Sequence, residues 1–176
     1  DRCTSRGLGD VYKRQSMAVK LAKKTGARLH VFHLSTAKEL ELFSNKLPLK
    51  EKKITCEVCI HHLTFSDQDY DKLGSKIKWN PAVKTSNDRD KLWHALNNDL
   101  IDVIATDHAP HTAEEKQNPY ISCPSGGPLV QHSLVSMLEA YHQQKISLEK
   151  IVQKMCHNPA ILFDVSTVSY THLTLP

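Results

Sequence analysis

Asp107, His108 and His111 follow an apolar run in the stretch IDVIATDHAPHTAEEK, residues 101–116. A run such as 101–105 reads as a strand buried on both faces, the kind found in parallel sheets covered by helices. A carboxylate and imidazoles set at its end must be hydrogen-bonded, paired or bound to a metal ion, and the carboxyl ends of parallel strands are where α/β folds hold their active sites. The plainer reading makes Asp107 a turn cap and the histidines loop residues. Two further apolar runs end in the same way: RLHVFHL, residues 28–34, delivers His33, and KITCEVCI, residues 53–60, leads into His61 and His62.

Strand alternation assigns the faces. Ile54, Cys56, Val58 and Ile60 share one face, suited to covering helices, and Thr55, Glu57, Cys59 and His61 share the other. His33 falls with Leu29 and Val31, and His30 with Phe32 on the opposite face. Asp107 aligns with Val103 and Ala105. Three strand ends thus present His33, His61 and Asp107, with Glu57 just beneath, and imidazole nitrogens with carboxylate oxygens suit either a zinc-like divalent ion or acid–base chemistry. Cys56 and Cys59 form a C-x-x-C, but residues three apart on a strand face opposite ways, so the two sulfurs cannot share an ion. Ser125, Gly126 and Gly127 read equally as an anion cradle or an ordinary turn.

Helices must position these strands. A short helix over 16–24 stops at Gly26, a helix starts at Ser35 or Thr36 with Thr36 and Glu39 spaced as a capping box, and another opens at Asn87 or Asp88. An extended piece is expected over 76–79, then a long loop over 110–128, of a length that favours a functional role. Helices over 129–144 and 147–155 complete residues 16–165. Residues 1–15 and 166–176 lack clear periodicity or caps and read as extraneous tails outside the folded part. Alternating strands and helices imply a parallel α/β sheet.

Composition excludes several classes. The chain has 176 residues and a formal charge of +4, with scattered lysines that make no nucleic-acid stripe. No run approaches a membrane helix and no signal peptide is visible. Five cysteines at irregular spacing suggest no disulfide framework and fit a reducing cytoplasm. There is no P-loop, dinucleotide fingerprint, G-x-S-x-G elbow or H-E-x-x-H.

The segments VFHLSTAKEL, CEVCIHHLTFSD, KWNPAVKTSNDRDKLWHAL and ATDHAPHTAEEK, in that order, closely resemble the dihydroorotases of the amidohydrolase superfamily, over nearly all of residues 16–165. The resemblance implies a C-terminal part of a (β/α)8 TIM barrel, strands six to eight with the helices that follow. It implies an enzyme that interconverts N-carbamoyl-L-aspartate and dihydroorotate with one or two zinc ions. His33 matches a metal ligand, Asp107 a ligand that is also the catalytic acid and base, and Glu57 a glutamate near the metals in some members. Asn80, His111, Ser125 and Gly126 match substrate-binding positions, the last two through their backbone. His61 and His62 match a paired histidine motif that supports the ligands without touching the ion. Lys84 stands where many members carry arginine, a point charge in place of a planar fork.

The first-strand H-x-H, the bridging residue and the strand-five histidine have no counterpart, so the chain alone is expected to be inactive. The rival readings are an allantoinase or hydantoinase, and a catalytically silent dihydroorotase-like subunit that supports aspartate transcarbamoylase. Expected partners are the small-molecule substrate and either a second copy or aspartate transcarbamoylase, with neither nucleic acid nor membrane.

Overall fold

Gly26 ends the first helix because its backbone turns left-handed (φ +73°), which costs glycine nothing, while its N–H donates to the Ala22 carbonyl at 2.9 Å. The computed structural model describes residues 8–165. Helix α1 spans Leu8–Thr25, so it begins well ahead of the expected start at 16. Strand β1 (Leu29–Val31) follows, then β2 (Ile54–Cys59), the short helices α2 (Ile60–Thr64) and α3 (Tyr70–Leu73), and α4 (Ser86–Asn97). Strand β3 (Val103–Ala105) leads to α5 (Ala113–Lys116), α6 (Val130–His142), α7 (Leu148–Val152) and α8 (Asn158–Phe163). A π-helical segment, Gln153–His157, joins the last two. The expected tail 166–176 lies outside the described residues.

The three strands are parallel in the order β1-β2-β3, with Val31 opposite Cys56 and Cys59 opposite Ala105. Val31, Cys56, Val58 and Ile104 pack with Leu92 and Leu96 of α4 and Met137 and Ala140 of α6 in one buried core, so this face is the helix-covered one. The opposite face carries His30, Thr55 and Glu57. His30 Nδ1 lies 2.8 Å from Thr55 Oγ1 and its Nε2 is 3.0 Å from Glu57 Oε2. Among the described residues β1 and β3 each pair along one edge only, which makes the sheet an open arc.

Several expected elements are shorter or of another type. The strands expected over 28–34, 53–60 and 101–105 shrink at their ends. The helix expected from Ser35 is a 3-10 turn, Lys38–Leu42, yet the pairing of Thr36 and Glu39 forms: Glu39 Oε2 accepts from Thr36 N (2.6 Å) and Thr36 Oγ1 (2.8 Å). The extended piece expected over 76–79 is largely a 3-10 turn, Gly74–Ile77. Helix α4 begins where Thr85 and Asp88 form a capping box.

The amino-terminal side of the sheet is tied by Asp102, 3% exposed. Its Oδ1 accepts from Lys52 Nζ at 2.6 Å, its Oδ2 from Cys56 N at 3.0 Å, and its carbonyl from Asn158 Nδ2 at 2.6 Å. Lys154 Nζ donates to the adjacent Ile101 carbonyl at 2.6 Å. One residue, just before β3, thus joins β2 through its carboxylate and α8 through its backbone carbonyl. Removing the carboxylate leaves a buried ammonium and an amide without their acceptor, so Asp102→Ala is expected to cost about 3–5 kcal/mol, against about 0.5 kcal/mol or less for the exposed Asp90→Ala. Urea denaturation of both variants measures this; equal losses would contradict the assignment.

Candidate metal and substrate site at the strand ends

His33 and Asp107 both adopt left-handed backbone, φ +39° and +47°, a region where histidine and aspartate are enriched among non-glycine residues. This corrects the alternation argument for His33. Strand β1 ends at Val31, two residues before His33, so the extended pattern that put His33 with Val31 on the helix-covered face no longer applies. The turn brings His33 beside His61 and His62, whose imidazoles are kept neutral chiefly by burial. His61 and His62 are not strand residues either. They lie in the first turn of α2, directly after Cys59.

Cys59, His61 and His62 are all buried, and one donor atom from each lies within 4.8 Å of the others. The His61 ring stacks flat on Trp79, centroids 4.5 Å apart and planes 6° apart, and neither of its nitrogens has a hydrogen-bond partner among the described residues. His62 Nε2 lies 3.1 Å from the Pro81 carbonyl. A carbonyl only accepts, so Nε2 carries the proton and Nδ1 presents its lone pair. That Nδ1 and His33 Nδ1 are buried without partners as well. Burial pushes the Cys59 thiol far above its ordinary range, and the Glu57 and Asp107 carboxylates add to it; Asp107 therefore flanks the cluster from the β3 side as His33 does from the β1 side.

The remaining candidates divide. Glu57 accepts from His30, which gives one of its oxygens a protein partner. His111 Nε2 donates to the Ser125 carbonyl at 3.1 Å, so these two candidates do meet. The Gly126 N–H donates to the Lys78 carbonyl and its own carbonyl accepts from Lys116 Nζ, each at 3.0 Å. Both backbone groups of Gly126 are thus engaged within the protein. Asn80 is exposed beside the buried Trp79 and Pro81, and Lys84 is buried with Nζ 2.7 Å from the Ala82 carbonyl.

The long loop is held by two ammonium groups. Lys78 Nζ donates to the carbonyls of Tyr120, Ile121 and Cys123, and Lys116 Nζ to those of Lys78, Pro124 and Gly126. A Cβ on Gly126 would sit 2.6 Å from Ala109 Cβ and O, and one on Gly127 2.9 Å from the Trp79 ring. These glycines let the loop lie directly against the DHAP turn and the Trp79 that stacks on His61. His108 is exposed, with Nδ1 accepting from Val130 N at the start of α6 (3.1 Å). Alternation missed Cys59 as a donor, because the C-x-x-C was judged as a pair. It also left His30 aside, although the register opposite Thr55 and Glu57 makes it their partner.

His33 and Asp107 carry donor types that suit a divalent ion, an imidazole and a carboxylate, beside the buried Cys59, His61 and His62. The same burial has a pH consequence in the ion-free chain. Burial chiefly lowers His62 to about 3, partly opposed by its bond to Pro81, and drives His61 lower still. In the unfolded chain both titrate near the ordinary ~6.5, so between about pH 6.5 and 3 the unfolded state binds more protons than the folded one. Stability therefore falls as the pH drops through that window, by up to about 1.4 kcal/mol per pH unit for each histidine. Urea titrations at descending pH with a chelator present should show it; a flat profile would contradict neutral burial.

No protein-family model matches the chain. A dihydroorotase of Clostridioides difficile is 34% identical over 149 residues, which cover 83% of this chain and 35% of that protein. A segment of the multifunctional protein pyr1-3 of Dictyostelium discoideum is 38% identical over 146 residues, 82% of this chain and 6% of that protein. Among solved structures, the L-hydantoinase (dihydropyrimidinase) of Arthrobacter aurescens superposes with a TM-score of 0.79 and 28% identity, covering 89% of this chain and 35% of that one. The chain thus spans about a third of the length of the dihydroorotase it matches, and its open three-stranded arc corresponds to part of an amidohydrolase TIM barrel. With the strand-end histidines and the DHAPH turn placed as they are, this chain belongs to the dihydroorotase family of the amidohydrolases.

Proposed function

We propose that the complete protein to which this chain corresponds is a zinc-dependent dihydroorotase that interconverts N-carbamoyl-L-aspartate and (S)-dihydroorotate. The observation that supports this most is the 34% identity to a dihydroorotase, with His33 near His61 and His62, and Asp107 near Cys59, past the ends of parallel strands. His33 and Asp107 would hold the ion, together with ligands outside this chain, and Glu57 is the nearest further carboxylate. When bound, the ion lowers the pKa of a water and polarises the amide carbonyl.

In the hydrolytic direction Asp107 accepts the proton from the attacking water and returns it to the departing ring nitrogen; cyclisation runs the same steps backwards. His111, whose Nε2 is engaged by Ser125 and whose Nδ1 lies 3.6 Å from Glu115 Oε2, would orient the substrate together with Asn80, with the Ser125 and Gly126 backbone framing the ring. His61 and His62 would pack beneath the ligands.

The match to a segment of a multifunctional protein supports a role beside another enzyme such as aspartate transcarbamoylase, or else as a homodimer. No helix among the described residues is long and apolar enough to cross a membrane; a cytoplasmic location is part of this proposal and rests on the dihydroorotase relatives. A hydantoinase-type activity is the second reading, favoured by the structural likeness to an L-hydantoinase.

Kinetics on the complete protein test these roles. Asp107→Asn is expected to lower kcat by about 100-fold or more while much of the metal stays bound, because the amide cannot shuttle a proton at neutral pH. His111→Ala is expected to act mainly through KM. Near-normal kcat in Asp107→Asn would remove it from the chemistry, and turnover of hydantoin in place of dihydroorotate would favour the second reading. The 176-residue chain alone is expected to show no turnover of dihydroorotate with added zinc; robust turnover would mean that its own residues suffice.

A further inference from the structure

We propose that Cys59, His61 and His62 form a binding site of their own for a soft or borderline cation such as Zn2+ or Cd2+, separate from the ligand set assigned above to His33 and Asp107. The three side chains are no more than 3% exposed, and their donor atoms already lie within 4.8 Å of one another. Ligands around a tetrahedral ion at 2.0–2.3 Å sit about 3.3–3.7 Å apart, so an inward shift of roughly 1 Å or less closes the shell.

Each donor is oriented by something other than the ion. The Pro81 carbonyl accepts a hydrogen bond from His62 Nε2–H and leaves Nδ1 bare, the outer-partner arrangement that fixes the tautomer of a metal-bound histidine. Stacking on Trp79 covers one face of His61 and leaves the nitrogens on its edge without partners among the described residues. Cys59 is the last residue of β2 and alternates with Thr55 and Glu57, away from the helix-covered face. Buried polar atoms without partners are rare and call for a ligand, an ion or a water; here three nitrogens of two adjacent imidazoles are in that state beside a thiol.

The donor set differs in kind from the strand-end pair. One sulfur and two nitrogens select zinc, cadmium or copper(I), whereas carboxylate oxygens suit magnesium and manganese. When the ion enters, the Cys59 S–H bond breaks, the thiolate becomes a ligand, and one proton passes to solvent. The inference does not rest on the proposed activity, because it concerns an ion bound by this chain alone.

The test is a Cd2+ titration of the 176-residue chain, followed by the thiolate-to-cadmium absorption band. One strong site is expected. Cys59→Ser should abolish the band and weaken binding about 100-fold or more, beyond the roughly 10–100-fold that outer partners contribute. Cys156→Ser, at an exposed thiol, should change neither, and His33→Asn and Asp107→Asn should leave the affinity within a few-fold. A band that survives Cys59→Ser, or is lost in Cys156→Ser, overturns the proposal. So does a loss in His33→Asn or Asp107→Asn equal to that in Cys59→Ser, which would assign the ion to the strand-end pair. X-ray absorption of the zinc-loaded unmutated chain removes any dependence on how the variants fold: one sulfur near 2.3 Å with nitrogens at about 2.0–2.1 Å is expected, and a shell without sulfur refutes the site.

Discussion

His33 and Asp107 leave extended backbone for the left-handed region, and the candidate site depends on those two turns. Had the chain stayed extended past Val31, His33 would lie against α4 and α6 with Val31 and Cys56, away from His61. At Asp107 the turn ends β3 and starts the DHAP segment that Gly126 and Gly127 approach closely. A non-glycine residue in this region costs on the order of 1–3 kcal/mol, and such strain persists only where the surroundings enforce it. Here they do: β2 lies between the two turning strands, and its own end, Cys59 with the first turn of α2, is what both turns face.

The sheet divides its labour between its two ends. At the amino-terminal side, Asp102, Lys52, Lys154 and Asn158 form a network of hydrogen bonds between buried or half-buried groups. At the carboxyl-terminal side, several imidazole nitrogens lack partners among the described residues. Satisfied polar groups at one end and unsatisfied ones at the other are the physical counterpart of the rule that TIM barrels keep stability at the bottom face and chemistry at the top. The lysine-bound loop extends that chemistry, because Lys78 and Lys116 collect six carbonyls and so fix the backbone around Ser125 and Gly126 without a regular element.

The parallel sheet was legible from strand and helix alternation, since largely apolar runs such as Ile101 to Ala105, interrupted only by Asp102, need covering on both faces. The face of Cys56 was legible too, from period-two arithmetic. What alternation could not foresee is where a strand stops. A rule of period two extrapolates until told otherwise, and at His33, His61 and Asp107 it was carried two or more residues too far. His33 was matched to the metal position through the family motif, while geometry alone would have placed it on the wrong face. Cys59 went unrecognised because its donor partners come from a helix turn that begins one residue later. The start of α1 at Leu8 was hidden because residues 1–15 show neither clear periodicity nor a convincing cap in the sequence.

The account's central claim is that three strand ends of one open sheet bring their donors to a common point. Zinc-edge anomalous diffraction from crystals of the zinc-loaded chain tests it directly. In this chain alone the predicted anomalous peak lies among Cys59, His61 and His62, at roughly 2.0–2.3 Å from its ligand atoms, with His33 and Asp107 beside it and not bound to the same ion. A peak found only at the exposed Cys156 and His157, with the strand ends carrying none, would contradict it.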